Sequence, residues 1–257
     1  MRLFLFILPL LTATCTLRSE MPVDTGIVTS APKSHTEDLE IPAYGEDEDI
    51  VRHIGYTASY NHTTLCPYWV AWELTAAEVE GACEGKYSFS RDPDVSDPKA
   101  TREDYRNTGW DKGHMAPRAD MKWSEQALEE SYYFTNICPQ SHTMNSSAWR
   151  KIEELTRRVA TRYGAVSVVC GPIYTDHSHG NIGQGVQVPD LFFKALAVES
   201  SEGMQTVAFI VENGNQTLSP KRYSISVDSV ESIIGRDLFP SLPEEVESTV
   251  NWNIWNY

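Results

Sequence analysis

The distribution of apolar residues predicts three helices. The clearest covers 146–163, where apolar side chains recur every three or four residues and Gly164 marks the end. A shorter helix is expected over 125–133, with Ser124 as its N-cap, and another over 227–235. The apolar residues that recur along the long helix are Trp149, Ile152, Leu155, Val159 and Tyr163.

Strands are predicted where β-branched and aromatic residues form short runs. Between two of them, the segment 84–110 carries several prolines and glycines and is expected to be long and irregular. Strands and helices intermixed in this way indicate a mixed α+β domain with a mostly antiparallel sheet. The predicted strands are 51–60, 67–74, 111–116, 132–138, 165–174, 191–199 and 205–212.

The amino-terminal segment has the pattern of an export signal. Arg2 precedes an apolar run at 3–11 that is too short to span a bilayer. We therefore expect a signal peptide over 1–15 and an exported protein that is periplasmic, secreted or lipid-anchored at the cell envelope. Cys15 is a candidate lipid anchor in a bacterial chain, and simple cleavage nearby is the alternative.

Composition indicates where a tether gives way to a folded domain. Residues 16–48 contain three prolines, many serines and threonines and an acidic run, without a sustained apolar period. Such segments bury too little apolar surface to fold alone. We expect a flexible tether over 16–48 and one domain over 49–257, since aromatic residues continue to the carboxyl end.

Apart from Cys15, four cysteines are present, and an even number in an exported protein favours two disulfides. Cys66 with Cys83 is the first pairing expected, because that loop is short. Cys138 with Cys170 would follow. The alternative for the second pair is two buried free thiols.

The chain carries 21 lysines and arginines against 36 aspartates and glutamates, a formal net charge of −15. Proteins that hold nucleic acid by bulk electrostatic attraction are usually basic, so this charge argues against that class of binder. An enzyme with a small local basic patch is compatible with it. Such an enzyme would bind a polyanion weakly and with strong salt dependence.

The first candidate for chemistry is the motif DKGHMAP at 111–117. Alternate side chains of an extended strand share a face, so Lys112 and His114 point the same way, and Gly113 between them permits close approach. A cation and an imidazole aimed at one spot suit phosphodiester chemistry, because the first neutralises phosphate oxygens and the second takes a proton from water. Alone, a Lys-Gly-His sequence is more often structural.

The second candidate is the segment NICPQSHTMN at 136–145, which runs into the long helix. Asn145 is either an N-cap or, through its amide oxygen, a hard neutral ligand for Mg²⁺. At about 100° per residue, Glu153 lies roughly 80° from Asn145 around the helix and Glu154 about 180°. Glu153 is therefore better placed to hold a metal-bound water, and Arg157 one turn on can pair with it. The alternative is a surface ion pair of little energetic value.

Together these motifs resemble the DNA/RNA non-specific endonuclease family of the ββα-metal superfamily, whose members include mitochondrial endonuclease G. The family signature is Asp-Arg-Gly-His, followed by an Asn-Ile-x-Pro-Gln segment and then a metal-binding asparagine. In this chain Asn136 follows His114 by 22 residues and Asn145 follows Asn136 by nine, which fits the family's spacing. The resemblance covers residues 50–240, and it implies the ββα-metal motif within the α+β fold.

The resemblance implies a role for each matching residue. His114 would be the general base that activates water. Asn145 would be the one direct protein ligand of a hydrated Mg²⁺, with Mn²⁺ as an alternative. Glu153 would orient metal-bound water, and Asn136 would support the site by hydrogen bonds that position His114, substrate or water. Arg91, in the sequence SFSRDP, matches an upstream arginine that contacts phosphate.

Lys112 departs from the family, which usually has arginine at this position. Lysine keeps the charge and loses the planar bidentate fork for phosphate. The implied reaction is endonucleolytic hydrolysis of DNA and RNA to 5′-phosphate and 3′-hydroxyl ends, with bases and sugar largely unread. The alternatives are a catalytically inactive relative that binds nucleic acid or a protein, and a phosphodiesterase of small nucleotides.

One further cluster, DHSHG at 176–180, has neighbouring histidines that would suit zinc. The sequence offers no clear cysteine or histidine partner for it, so a solvated loop between strands is the favoured interpretation. His142 lies near the Asn145 segment without an assigned role.

Overall fold

The computed structural model describes residues 38–175 and 179–256. None of the described helices is both long enough and apolar enough to cross a membrane. Several expectations lie outside the described residues: the signal peptide over 1–15 with Cys15, the tether residues 16–37, and Asp176 and His177 of the DHSHG cluster.

The folded domain begins earlier than residue 49, the boundary that composition indicated. Ile41 packs against the buried core. Glu48 forms an ion pair with Arg236, with 2.9 Å between the carboxylate oxygen and the guanidinium nitrogen. Residues 38–48 therefore belong to the domain. Composition could not show this, because their partners lie almost 200 residues further along the chain.

Eleven strands in the described part of the chain form one seven-stranded sheet and two two-stranded pairs, all antiparallel. They are β1 (Asp49–Arg52), β2 (Thr57–Asn61), β3 (Cys66–Thr75), β4 (Asp111–His114), β5 (Ile137–Gln140), β6 (Ala165–Ile173), β7 (Asn181–Ile182), β8 (Val186–Gln187), β9 (Leu191–Ser200), β10 (Gly203–Glu212) and β11 (Ser224–Ile225). The large sheet has the order β1-β2-β3-β6-β9-β10-β11, and β4 pairs with β5 outside it. The predicted α+β class is confirmed.

The described α-helices surround this sheet. They are α1 (Ala76–Val79), α2 (Glu125–Glu130), α3 (His142–Met144), α4 (Arg150–Tyr163), α5 (Val227–Ile234), α6 (Glu244–Glu247) and α7 (Trp252–Trp255). Four short 3₁₀ segments are Glu103–Tyr105, Arg118–Asp120, Phe134–Asn136 and Pro220–Arg222. A π-helical segment, Asn145–Trp149, joins α3 to α4, so helical backbone runs without a break from His142 to Tyr163.

Two of the predicted strands are wrong in detail. The run 51–60 divides into β1 and β2, and the His53 amide donates to the Tyr56 carbonyl (2.8 Å) across the turn between them. This turn lacks the Asn-Gly or Asp-Gly signal that marks many hairpins, so the apolar run alone did not reveal it. The segment predicted as a strand over 132–138 is mainly a 3₁₀ turn, and β5 begins only at Ile137.

The large sheet buries a core on each face. We call the first the α4-side core, because α4 contributes Ile152, Leu155 and Val159 to it, and the second the α5-side core, because α5 contributes Val227 and Val230. Burying each of these aliphatic side chains contributes about 1.5–3 kcal/mol. Strand β9 supplies both cores by alternation: Phe192, Leu196 and Val198 face the α4 side, and Phe193, Ala195 and Ala197 face the α5 side.

The expected disulfides are not formed, since Cys66, Cys83, Cys138 and Cys170 all carry free thiols. A disulfide needs Cα atoms within about 7 Å. Cys66 begins β3, whose ten residues span roughly 30 Å, and Cys83 follows beyond the other end. Cys138 and Cys170 are buried free thiols, the alternative considered for that pair. Burial raises the pKa of the Cys170 thiol to about 12.

Candidate active site

Strands β4 and β5 form the platform of the site. Asp111 lies opposite Gln140 and His114 opposite Ile137. A side chain at Gly113 would collide with that of Gln140, which is completely buried. Glycine is therefore required at this position to let Gln140 pack against β4, and it need not serve close approach of a substrate.

Lys112 and His114 lie on the same face of β4, as strand alternation requires. Both reach the ring of Phe89: the Lys112 Nζ lies 5.6 Å from its centroid and the His114 ring centroid 5.4 Å from it. The Lys112 Nζ also lies 5.6 Å from the ring centroid of Tyr105. A cation and an imidazole therefore share one aromatic wall.

The imidazole of His114 lies in a largely apolar enclosure. The ring of Tyr132 meets it edge-on at a centroid distance of 5.2 Å, and Phe89 covers another side. Its Nε2 is inaccessible to solvent and has no hydrogen-bond partner among the described residues. Burial, assisted by the positive charge of Arg118, lowers the pKa of His114 to about 4. The ring is therefore neutral at neutral pH.

Asn136 holds the backbone that leaves β4. Its Oδ1 accepts from the Ala116 amide (2.8 Å), and its Nδ2 donates to the carbonyls of Ala116 (2.8 Å) and Ser131 (2.9 Å). Its own carbonyl accepts from the Met115 amide (2.9 Å). The residue is fully buried, so its side chain positions the residues next to His114 and does not reach into the open site.

Two buried side chains hold the same turn from beneath. Trp149 Nε1 donates to the His114 carbonyl (3.2 Å), and Lys194 Nζ donates to the Met115 carbonyl (3.3 Å). The Lys194 Nζ lies 4.5 Å from the ring centroid of Trp149 and 4.9 Å from that of Trp72. Favourable contacts with two indole faces compensate part of the cost of burying an ammonium group.

Asn145 lies within continuous helix and is not an N-cap. It opens the π-helical segment, a feature that is frequent at functional sites. Its Nδ2 donates to Asp111 Oδ2 (2.9 Å), which is also 2.9 Å from His142 Nδ1. The helix is thereby tied to the first residue of β4. Asp111 and His142, to which the sequence assigned no role, orient the asparagine.

Glu153 and Glu154 have different surroundings, with Glu153 towards the interior and Glu154 towards solvent. Burial raises the pKa of Glu153 to about 7, against the opposing attraction of Lys194. Glu154 instead binds Arg150 at the surface (2.6 Å). Arg157 does not form the ion pair expected with Glu153. Its guanidinium Nη1 donates instead to the buried carboxylate of Asp120 (2.8 Å).

Arg91 lies at the margin of the site. Its guanidinium forms an ion pair with Asp97, and both side chains are exposed. Along the chain Arg91 is two residues from Phe89, whose ring contacts His114. Arg118 is a cation that sequence reasoning missed: its charge acts on His114, and its Nη2 donates to Glu84 (2.9 Å).

The side chains around Asn145 suit a hard divalent cation. Because the amide nitrogen of Asn145 donates to Asp111, its orientation is fixed and the amide oxygen is left as a neutral ligand atom. The Asp111 carboxylate adds negative charge beside it. Oxygen donors of this kind are those that Mg²⁺ takes in proteins, with water completing the coordination.

The zinc interpretation of the DHSHG cluster, which the sequence did not favour, gains no support within the described residues. The ring centroid of His179 lies 5.4 Å from that of Trp110. His179 does not belong to a metal-ligating group of the described part of the chain. Asp176 and His177 lie outside that part.

Among the site residues that were not identified from the sequence, Lys194 could have been recognised from its apolar neighbours. It is the only charged residue in the apolar run LFFKALAV at 191–198. A lysine is almost never fully buried without a partner, so its position in such a run indicates a special role. Asp111 left a weaker signal, as the first residue of the DKGH motif.

Comparison with known proteins agrees with these features. The sequence profile of the DNA/RNA non-specific endonuclease family matches residues 35–245, which is most of the chain. The chain therefore belongs to the DNA/RNA non-specific endonuclease family. The resemblance stated from the two motifs is confirmed.

Relatives include mitochondrial nucleases of animals. The chain is 30% identical over 232 residues to the mitochondrial nuclease EXOG of Mus musculus, covering 83% of this chain and 62% of that protein. It is 27% identical over 202 residues to the mitochondrial endonuclease G of Homo sapiens, covering 73% and 68%. The chain thus spans less than two thirds of the length of the mouse nuclease.

A solved structure shows the same fold. It is a crystal structure of the complex of EndoG with EndoGI, described as revealing the mechanism of EndoG inhibition. The match has a TM-score of 0.71 and 27% sequence identity, and it covers 78% of this chain and 89% of that one.

Proposed function

We propose that this protein is a divalent-metal-dependent endonuclease that hydrolyses phosphodiester bonds in DNA and RNA. The observation that carries the proposal is the pairing of a neutral, partly buried His114 with Lys112 on one face of β4, with Asn145 of the π-helical segment tied to Asp111 at the start of the same strand. Membership of the family supports the same activity. The products are 5′-phosphate and 3′-hydroxyl ends.

His114 acts as the general base. A neutral imidazole accepts a proton from water, and its low pKa keeps it neutral over the whole physiological range. Because Nε2 is enclosed, Nδ1 is the nitrogen that meets the attacking water. Asn136, Trp149 and Lys194 fix the backbone at and after His114, so the ring is held before substrate binds.

Asn145 holds Mg²⁺, with Mn²⁺ as the alternative ion. A divalent cation in this position supplies Lewis-acid stabilisation of the charge that develops on the phosphate. Asp111 and His142 keep the asparagine in place. Glu153 accepts hydrogen bonds from water in the site once its carboxyl is ionised.

Lys112 neutralises phosphate oxygens beside His114, and Arg91 contributes a second charge once it exchanges Asp97 for phosphate. Contacts to phosphate do not distinguish bases or the 2′-hydroxyl, so the enzyme acts on both polymers. The net charge of −15 makes substrate binding weak and sensitive to salt.

The test compares the native domain from residue 16 onward with His114→Ala, using plasmid DNA and single-stranded RNA with and without Mg²⁺. The native domain should degrade both polymers only with metal, and the variant should be nearly inert. His62→Ala is the matched control, because the imidazole of this partly exposed histidine hydrogen-bonds to Asp49 and to the Pro98 carbonyl and to none of the residues assigned to hydrolysis.

Equal cleavage by His114→Ala would sink the role given to His114. No polymer cleavage by a folded native sample would favour an inactive binding relative. Cleavage of dinucleotides alone would favour a phosphodiesterase of small nucleotides.

We also propose that the chain is exported, although its relatives are named as mitochondrial proteins. The support is Arg2 followed by the short apolar run at 3–11. Expression of the full chain in a bacterium should give a shortened protein outside the cytoplasm, with or without lipid at Cys15. An uncleaved protein confined to the cytoplasm would contradict export.

A further inference from the structure

Three carboxylates meet on the side of the sheet away from His114. Glu231 lies on α5, Asp237 follows that helix, and Glu247 lies on α6. One oxygen from each lies within 4.8 Å of the other two. Both helices pack on β10 at the α5-side core, so this group has no contact with the residues assigned to hydrolysis.

Glu247 has an unsatisfied oxygen. The residue is only 5% exposed, and its Oε1 is inaccessible and lacks a hydrogen-bond partner in the described part of the chain. Buried carboxylate oxygens are normally bonded to a donor or to a cation. One oxygen of the Glu247 carboxylate belongs to the group of three. The two oxygens of a carboxylate are adjacent, so the unpartnered Oε1 also lies at the cluster.

No basic side chain neutralises the group among the described residues, since none of the three carboxylates takes part in an ion pair there. Arg236, which directly precedes Asp237 in the sequence, forms its ion pair with Glu48 instead. Burial and mutual repulsion raise the pKa of Glu247 to about 8 and also raise the pKa of Glu231. The arrangement is complete only with a bound proton or a bound cation.

We propose that Glu231, Asp237 and Glu247 bind a Ca²⁺ ion that joins α5 to α6. Ca²⁺ takes oxygen ligands at about 2.3–2.6 Å, so two of its ligand atoms can lie roughly 4.6–5.2 Å apart. The three oxygens lie within 4.8 Å of one another, which is close enough for them to share one such ion. Mg²⁺ demands near-octahedral geometry and gives up its water reluctantly, so three protein carboxylates around one ion favour Ca²⁺. Asp237 is exposed and leaves room for water as further ligands.

The test uses the full chain carrying Asn145→Ala, so that the ion proposed for the active site does not dominate the signal. After treatment with EDTA, calcium binding is measured by calorimetry, and Tm is measured with and without CaCl₂. One Ca²⁺ should bind per molecule and raise Tm, because an ion that binds only the folded state stabilises it.

Glu247→Gln in the same background should abolish both effects. Glu245→Gln is the matched control, because this exposed glutamate lies on the same helix, and it should leave both effects unchanged. Asp237→Asn changes an exposed residue and keeps the test decisive if Glu247→Gln does not fold. It should weaken calcium binding at least about tenfold, since affinity follows the number of charged ligands.

Calcium binding of unchanged affinity in Asp237→Asn and Glu247→Gln would overturn the proposal, as would tighter binding of MgCl₂ than of CaCl₂. A parent protein that ignores calcium, and whose stability falls as pH rises through about 8, would show that a shared proton occupies the cluster. That result would overturn the proposal as well.

Discussion

On one face of β9, Phe193, Ala195 and Ala197 pack into the α5-side core among other apolar side chains. On the other face, Lys194 stands between Phe192 and Leu196 and is completely buried beneath the turn that follows His114. The same strand therefore stabilises the sheet on one side and carries a buried charge on the other. The fold therefore accepts an electrostatic cost where it holds the site.

That cost is concentrated around a few groups. Glu153 and Asp120 are both close enough to feel the charge of Lys194, and burial raises the pKa of each carboxyl. An ammonium group buried near carboxyls that burial also disfavours in their charged form is a poor source of stability. Its hydrogen bond to the Met115 carbonyl instead serves to position the backbone beside His114.

The largest effect on stability should come from a substitution in the α5-side core. Phe193→Ala removes a side chain that is 1% exposed, and it should lower the free energy of unfolding by about 3–5 kcal/mol. The activity of the folded fraction should stay within about twofold of the parent, because Phe193 packs on the opposite face of β9 from Lys194, and substitutions that share no partner with a site act nearly independently of it. Urea denaturation and cleavage assays at low temperature measure the two quantities. A large loss of activity per folded molecule would contradict the view that this face of β9 serves only the stability of the sheet.

Lys194→Met should show the opposite pattern. Methionine keeps the apolar stem of the side chain, so the free energy of unfolding should change less than in Phe193→Ala. By contrast, kcat should fall about 10- to 100-fold, because the turn after His114 loses the hydrogen bond from Lys194. KM for DNA should change little, since Lys194 does not reach the phosphate. Steady-state kinetics on a folded variant separate the two parameters. An unchanged kcat would show that the buried lysine has only a structural role.

Glu153→Gln should change the pH dependence of the rate. With a pKa raised to about 7, the Glu153 carboxyl is protonated below that pH and ionised above it. The rate should therefore rise between about pH 6 and pH 8, and the variant should lose this rise together with about 10- to 100-fold of its activity. Glu154→Gln, on the exposed side of the same helix, is the control and should keep the native profile. A native profile in Glu153→Gln would exclude the proposed role.

Lys112→Arg should have the smallest effect. The guanidinium would gain the bidentate geometry for phosphate that lysine lacks. KM for DNA should fall about two- to fivefold, equivalent to roughly 0.4–1 kcal/mol, with kcat nearly constant. Measurements at several salt concentrations provide the check. A rise in KM would mean that the aromatic wall of Phe89 and Tyr105 fits lysine alone.

Much of the site was predictable because its elements are local. Strand alternation placed Lys112 and His114 on one face, and helical geometry separated Glu153 from Glu154. Only the N-cap alternative for Asn145 was wrong, because a π-helical segment leaves no simple mark in the sequence. Lys194 was missed, because its partners, such as Met115, are almost 80 residues away in the chain.

The errors in the fold have the same origin. The turn between β1 and β2 was missed because its sequence lacks a strong turn signal. The packing of 38–48 depends on Arg236, far along the chain. The cysteine pairing relied on loop length, whereas the length of β3 decides the distance between Cys66 and Cys83.

The most direct measurement is an NMR titration of the His114 ring in the folded protein, with His114→Ala used to assign the signal. A general base must be neutral at neutral pH, so the ring should titrate near pH 4 and stay uncharged at pH 7. A ring that is protonated at pH 7 would be unable to accept a proton from water, and that result would contradict the role of His114 on which the proposed hydrolysis depends.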